Sequence, residues 1–275
     1  MVNKDSMSFL ERYGEWALVA GASEGLGEAW ARGFAAAGLS VVLVARRREA
    51  MERVAGGIRS DFGVAVRIEV LDLGTPELAG RLAALDDELG IGISVYNAGY
   101  APIGAFLDQT LEDKLTVIDV NARGPLIWSD VLGRRMVARG RGALVLMSSI
   151  AGFNGSALVA TYAASKAFDT VLGEGLWEEL GRHGVDVMVC AAGSTLTPKF
   201  KEATPADKRA GSSAMEPADV VRETLFELER RAGPTFIPGR FNRGFRQVIG
   251  RLLSRRAAVR LMSNGIRGTY GEPGA

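Results

Sequence analysis

The chain has 275 residues, 47 % of them hydrophobic, with 33 basic side chains against 32 acidic ones. That balance excludes the strong positive bias of a nucleic-acid binder. One cysteine, Cys190, and one histidine, His183, exclude an intramolecular disulfide framework and a His/Cys metal cluster.

The N-terminal run MVNKDSMSFLERYGEW has neither the apolar core nor the small-residue cleavage site of a signal peptide. No stretch of about 18 uninterrupted apolar residues spans a bilayer. Cys190 lies in the apolar run VDVMVCAA and reads as a buried, inert thiol. A soluble, cytoplasmic protein is expected.

From Trp16, short apolar runs alternate with helix-length segments. A strand at 16–20 precedes a helix at 25–37; strands at 40–45 and 64–70 flank a helix at 49–62. A helix at 76–89, a strand at 93–97 and a long helix at 111–138 follow, then a strand at 143–148, a helix at 161–182, and strands at 185–190 and 234–238. Most strands show little polar alternation, as strands buried on both faces do. The pattern predicts an α/β, doubly wound parallel sheet of about seven strands with helices on both faces. No linker divides the chain, so 1–275 reads as one domain with its core at 16–240.

Two segments depart from the pattern. The polar excursion 198–217 has the length of a substrate lid or of a surface loop. Residues 240–267 carry eight arginines and no acid, with apolar residues at helical spacing. They predict a basic amphipathic helix docked on the domain or a partner subunit; an anionic substrate or a peripheral membrane contact is the sharper alternative.

After the first strand comes AGASEGLG. Gly21, Gly25 and Gly27 stand where a buried strand passes into a helix, and without Cβ atoms they allow a sharp turn and close approach of a pyrophosphate. A tight turn alone would use the same glycines; the strand–turn–helix context favours the phosphate cradle. Further on, TYAASKAF sets Tyr162 four residues before Lys166 on one helix face, with Ser148 and Ser149 upstream. A cation beside a phenol favours its ionised form and makes it a usable proton carrier.

Taken together these motifs resemble the short-chain dehydrogenase/reductase family, in its NADP-preferring branch. Over residues 16–240 the chain carries AGASEGLG (20–27), LDL (71–73), YNAG (96–99), DVNARG (119–124), LMSSIAG (146–152), YAASK (162–166) and AAGSTLT (191–197), in the family's order. The resemblance implies a Rossmann-type fold. It implies that Tyr162 exchanges a proton with the substrate oxygen and that Ser149, thirteen residues ahead of it, hydrogen-bonds that oxygen; Ser148 takes this place if the register shifts. Lys166 would contact the nicotinamide ribose and support Tyr162 with its charge, and Asn121 would hold a water linking Lys166 to solvent. For the cofactor the resemblance implies Gly21, Ser23, Gly25, Leu26 and Gly27 at the phosphates, and Asp72 and Leu73 at the adenine. Asn97, Ala98 and Gly99 would line the end of the fourth strand, Thr197 would meet the carboxamide, and Tyr162 and Lys166 would touch the cofactor as well.

The family pattern is broken at Ala20, which replaces a threonine, at Ala192-Gly193, which replaces Pro-Gly, and at Thr195, which replaces valine. After the second strand, VLVARRR puts Arg46 and Arg47 where NAD-preferring chains carry an acid. Guanidinium groups pair with the extra phosphate of NADP, so NADP(H) is expected over NAD(H). Ser23 adds a donor, Glu24 opposes, and Arg48 reads as the solvated start of a helix.

The leading expectation is an NADP(H)-dependent oxidoreductase that interconverts a carbonyl and a secondary alcohol on a small-molecule substrate. The alternative is a catalytically silent NADP(H)-binding sensor or scaffold; a sugar-nucleotide epimerase has little room. The substrate is open among 3-oxoacyl thioesters, steroids or retinoids, and other ketones, in a pocket built from the segments after Gly99, Ser149 and Pro198, with Phe106, Phe153 and Leu158 as candidates. Helices 111–138 and 161–182 would form a homodimer or homotetramer by resemblance.

Overall fold

Residues 8–210 and 213–271 are described by the computed structural model. Positions 1–7 of the N-terminal run and 211–212 of the polar excursion lie outside the described residues. In chain order the elements are α1 (Phe9–Tyr13), β1 (Trp16–Ala20), α2 (Gly25–Ala36), β2 (Ser40–Ala45), α3 (Arg48–Phe62), β3 (Val66–Val70), α4 (Leu78–Leu89) and β4 (Ile91–Tyr96). Then come α5 (Leu111–Ile118), α6 (Gly124–Arg139), β5 (Gly142–Ser149), α7 (Ala160–Gly181), β6 (Val185–Ala192), α8 (Pro198–Ala203), α9 (Ala206–Ala210), α10 (Pro217–Glu229), β7 (Thr235–Phe236), α11 (Arg240–Leu252) and α12 (Arg255–Tyr270).

The strands form one parallel sheet in the order β3-β2-β1-β4-β5-β6-β7, the Rossmann order with one strand added at the β6 edge. Their unbroken Val, Leu and Ile runs need apolar cover on both faces. One face packs Trp30 and Phe34 of α2, Met51 and Ile58 of α3, and Val221 and Leu228 of α10. The other packs Leu78 and Leu82 of α4, Trp128 and Leu132 of α6, and Leu172 and Leu176 of α7. Cys190 sits inside the first of these cores, where burial pushes its thiol up to about 12.

Three segments differ from the expectation. The helix foreseen over 111–138 is broken by a π-turn at Asp119–Arg123. There the Gly124 amide reaches back to the Asp119 carbonyl, while the Tyr96 hydroxyl donates to Val120 O at 2.6 Å. A Cβ at Gly124 would stand 2.1 Å from that hydroxyl, so only glycine lets α6 start there. The basic segment 240–267 is two helices: Leu253 and Ser254 are extended, and the Ser254 hydroxyl caps α12 by accepting from the Ala257 amide. Within 198–217 the excursion carries two short helices, α8 and α9.

A buried carboxylate ties α4 to α6. Asp86 accepts from the Ile91 amide at 2.9 Å and from Arg139 at 2.7 Å, with Arg135 at 3.5 Å, and its side chain is 2 % exposed. Asp86→Ala would strand that amide and leave Arg139 with only the Ile91 carbonyl, while Arg135 keeps Asp87. It is expected to cost about 3 kcal/mol, read as a lower midpoint in urea.

Candidate active site

The strand order reverses between β1 and β4, and this opens a crevice at their carboxyl ends. Gly21 turns out of β1 at φ +73°, its amide donating to Val44 O at 2.8 Å. A Cβ at Gly21 would lie 2.9 Å from Ala98 Cα, one at Gly27 2.0 Å from Gly21 O, and one at Gly25, itself at φ +60°, 3.0 Å from Thr197 Cγ2. Asn97 Nδ2 donates to Gly21 O at 3.3 Å and secures the turn where the family's threonine is replaced by Ala20. The glycine turn, the end of β4 and Thr197 therefore form one cradle. Glu24, at the N-cap of α2, makes no side-chain capping bond; the first-turn amides face the crevice with the positive end of the helix dipole. These features fit a dinucleotide pyrophosphate.

Around the cradle, Leu26 in the first turn of α2 packs against the first core and Leu73 is buried in the other. Asp72 is exposed and accepts from the Gly74 amide at 3.0 Å. Arg47 donates to Ser23 Oγ at 3.2 Å and pairs with Glu24 at 2.9 Å, so the opposing acid is engaged by the arginine itself. Arg46 is exposed, and its charge reaches Tyr100. Arg48 pairs with Glu52 one turn along α3.

Strand alternation separates the two serines. Ser148 is buried and its hydroxyl is spent on Lys166 O and on Thr170 Oγ1, each at 2.7 Å. Ser149 closes β5 half-buried on the open side, accepting from the Ala151 amide at 3.2 Å. Tyr162 and Lys166 lie one turn apart on α7, with Lys166 Nζ 6.0 Å from the phenol ring centroid. That Nζ donates to Met147 O at 2.7 Å and to Asp169 Oδ2 at 2.9 Å. Asn121, in the π-turn, is fully buried; its side chain bonds the amide and carbonyl of Tyr100 at 2.8 and 2.9 Å and Ser165 Oγ at 3.1 Å. It pins the chain after Gly99 to α7.

The segments after Gly99 and Ser149 are tied together. Gln109 Nε2 donates to Gly104 O at 2.9 Å and the Gly104 amide to Leu158 O at 3.0 Å, which joins the segment after Gly99 to the loop after Ser149. Leu158 holds φ +65°, a conformation costly for a non-glycine residue and common where chains line sites. Phe106 points outward instead, 53 % exposed under Lys114. The turn at Gly193, which lacks the family's proline, packs against Asn242: a Cβ at Gly193 would stand 2.6 Å from Asn242 Nδ2, which donates to Pro238 O.

Sequence reasoning missed two residues. Tyr270, at the end of α12, is pushed up by burial, with a smaller contribution from Tyr162. The Ala157 amide bonds Ser263 Oγ at 3.0 Å and Arg255 bonds Phe153 O at 3.3 Å, seating α12 on the loop after Ser149. The second is Asp169, whose i, i+3 spacing from Lys166 was the available signal.

The short chain dehydrogenase family profile matches residues 15–208. The chain is 33 % identical over 239 residues to the 7beta-hydroxysteroid dehydrogenase of Clostridium sardiniense, which covers 86 % of this chain and 90 % of that one. A structure solved in work on 7beta-hydroxysteroid dehydrogenase stereoselectivity superposes with a TM-score of 0.87 at 31 % identity, covering 93 % of this chain and 99 % of that one. A short-chain dehydrogenase from Sphingobium yanoikuyae in complex with NADPH gives 0.76 at 30 % identity, covering 87 % and 96 %. The chain belongs to the short chain dehydrogenases, oxidoreductases that use a nicotinamide dinucleotide on small-molecule substrates.

Proposed function

We propose that the protein is an NADP(H)-dependent oxidoreductase that interconverts a ring carbonyl and a secondary alcohol on a steroid-sized apolar substrate. One observation carries the chemistry: Tyr162 and a buried Lys166 stand one turn apart on α7, Nζ 6.0 Å from the ring centroid, and that Nζ is bound to Met147 O of β5, the strand that ends at half-buried Ser149. Bound in the crevice, a nicotinamide dinucleotide supplies or accepts the hydride. Gly21, Gly25, Leu26 and Gly27 would hold its pyrophosphate, Asp72 and Leu73 its adenine, Asn97, Ala98 and Gly99 its middle, and Thr197 with Tyr162 and Lys166 its nicotinamide end. In reduction Tyr162 gives its phenolic proton to the substrate oxygen as the carbonyl carbon gains the hydride. Ser149 donates to that oxygen and stabilises its developing charge. Asn121, its side chain committed to Tyr100 and Ser165, keeps the water route to Lys166 in shape.

Arg46, Arg47 and Ser23 would bind the additional phosphate of NADP(H). Arg46→Asp is expected to weaken NADPH binding about tenfold or more while leaving NADH nearly unchanged; equal losses in a fluorescence titration would remove the NADP(H) assignment.

The steroid reading draws on the similarity to the Clostridium sardiniense enzyme over most of both chains, and on the apolar wall of Phe153, Leu158 and α12. The arginines support a second reading, a 3-oxoacyl thioester whose carrier phosphate meets Arg246, stacked on Phe153 at 4.3 Å, and Arg255. Turnover of 7-oxosteroids against 3-oxoacyl thioesters separates the two. Arg255→Ala raises KM for the thioester alone if the second holds. The silent sensor is not favoured, because the relatives are named as dehydrogenases.

The same proposal covers the whole chain, 1–275, as one catalytic domain in the cytoplasm, with 198–217 as a substrate lid. Lys199 of α8 already lies over the Tyr100 ring at 5.6 Å. Exposed Leu111, Leu115, Phe168 and Val171 on α5 and α7 support a homodimer or homotetramer. Exposed Phe241, Val248 and Leu252, a stripe along α11 next to Arg240 and Arg251, support peripheral contact with an anionic lipid surface. Among the described residues no helix is long and apolar enough to cross a membrane.

A further inference from the structure

Lys166 is closed off from solvent, 4 % exposed, and burial by itself drives an ammonium toward its neutral form. Asp169, one turn further along α7, opposes this. Its Oδ2 accepts from Lys166 Nζ at 2.9 Å, the residue is 1 % exposed, and its Oδ1 is buried without a hydrogen-bond partner. A dry, half-satisfied carboxylate is a poor choice for packing, since an apolar side chain fills such space without desolvating a charge. Burial pulls Lys166 down, and the Asp169 charge, with a smaller contribution from Tyr162, outweighs it and leaves the lysine above its ordinary value. Burial also raises Asp169, and Lys166 offsets part of that.

The other groups around the pair supply no second carboxylate. Met147 of β5 offers a neutral carbonyl and Tyr162 of α7 a phenol. Ser148 of β5 and Thr170 of α7 are hydroxyls bound to the Lys166 carbonyl. From β4, Tyr96 feels Asp169 and, more weakly, Asp72, but burial pushes it far up and it stays neutral. Among the described residues Asp169 is the one carboxylate ion-paired with Lys166.

We propose that Asp169 is a positioning residue of the reaction, the counter-ion that keeps Lys166 charged in a desolvated site and fixes its Nζ between β5 and α7 with one N–H left for the crevice. Its consequence for turnover rests on the oxidoreductase reading above. In the native chain the ammonium persists through the alkaline range, and Tyr162 keeps its support when it acts as base in alcohol oxidation. In Asp169→Asn the burial loses its main compensation, so Lys166 gives up its proton at lower pH, and oxidation acquires an alkaline fall that the native enzyme lacks.

The test follows the Lys166 Cε by NMR in the full-length protein, assigned with Lys166→Met, through a pH titration of native and Asp169→Asn chains. A downward displacement in the variant, matched by the new alkaline fall in its pH–rate profile, is expected. Titration at the same pH, or superimposed profiles, would overturn the inference. The NMR measurement needs neither cofactor nor turnover, so a chain that reduces no ketone would sink the proposed function while leaving Asp169 separately decidable. Should Asp169→Asn fail to fold, Lys166→Met combined with Asp169→Asn decides. Recovery of the Lys166→Met melting temperature supports the counter-ion, and instability that persists without the lysine contradicts it.

Discussion

Tyr162→Phe is expected to lower kcat/KM for ketone reduction about thousandfold while NADPH binds as before. General acid catalysis contributes about 10²–10⁴ in rate, and the geometry leaves no understudy for the phenol. Ser148 is committed to the Lys166 carbonyl and Thr170, and Lys166 is held by Met147 and by Asp169, which keeps its proton on the ammonium. Tyr270 is the other phenol close by, but it stands on α12, outside the one-turn spacing to Lys166, and burial makes it a poorer acid. Phenylalanine keeps the ring and its packing, so the loss falls on kcat with KM little changed. A variant that kept a tenth of the native rate would show that another group delivers the proton.

Gly27→Ala is expected to weaken NADPH binding by about 10- to 100-fold. The new Cβ would stand 2.0 Å from Gly21 O and 2.9 Å from Ala22 Cα. Both are backbone atoms of the cradle, and Gly21 is held in turn by Val44 and Asn97. Either the turn shifts away from the phosphates or α2 moves off the sheet, and both open the site. Gly56→Ala is the control: it lies inside α3 with nothing within 4 Å of the added carbon, and alanine is the better helix former by about 0.8–1 kcal/mol. Equal binding by the two variants would mean that the turn does not carry the dinucleotide.

Much of this was legible in the sequence, for a physical reason. Strands buried on both faces must be apolar throughout, so WALVA and SVVLVA declare themselves, with the bounds observed for β1 and β2. The glycine turn is legible because a missing Cβ is a property of the residue itself. The π-turn was not: the break at Asp119–Arg123 is fixed by Tyr96, far away in sequence, donating to Val120. The division of α11 from α12 turns on the extended Leu253 and the Ser254 cap, and a serine among arginines is a weak signal beside eight like charges. That α12 seats on the loop after Ser149 is a matter of packing, which the amphipathic pattern announces without naming its partner. Ser148 and Ser149, told apart by spacing alone in the sequence, differ in the pleat of β5, which turns the Ser148 hydroxyl into α7 and leaves that of Ser149 accepting from the Ala151 amide.

The most direct test is a single-turnover experiment. Native protein and Tyr162→Phe are each loaded with NADPH, titrated by fluorescence in parallel with NADH, and mixed with a 7-oxosteroid while the absorbance of the reduced nicotinamide is followed. The account predicts preferential NADPH binding by both proteins, and loss of the reduced-nicotinamide absorbance in the native chain alone. Failure of the native chain to bind either dinucleotide, or oxidation that proceeds equally in the variant, would contradict it.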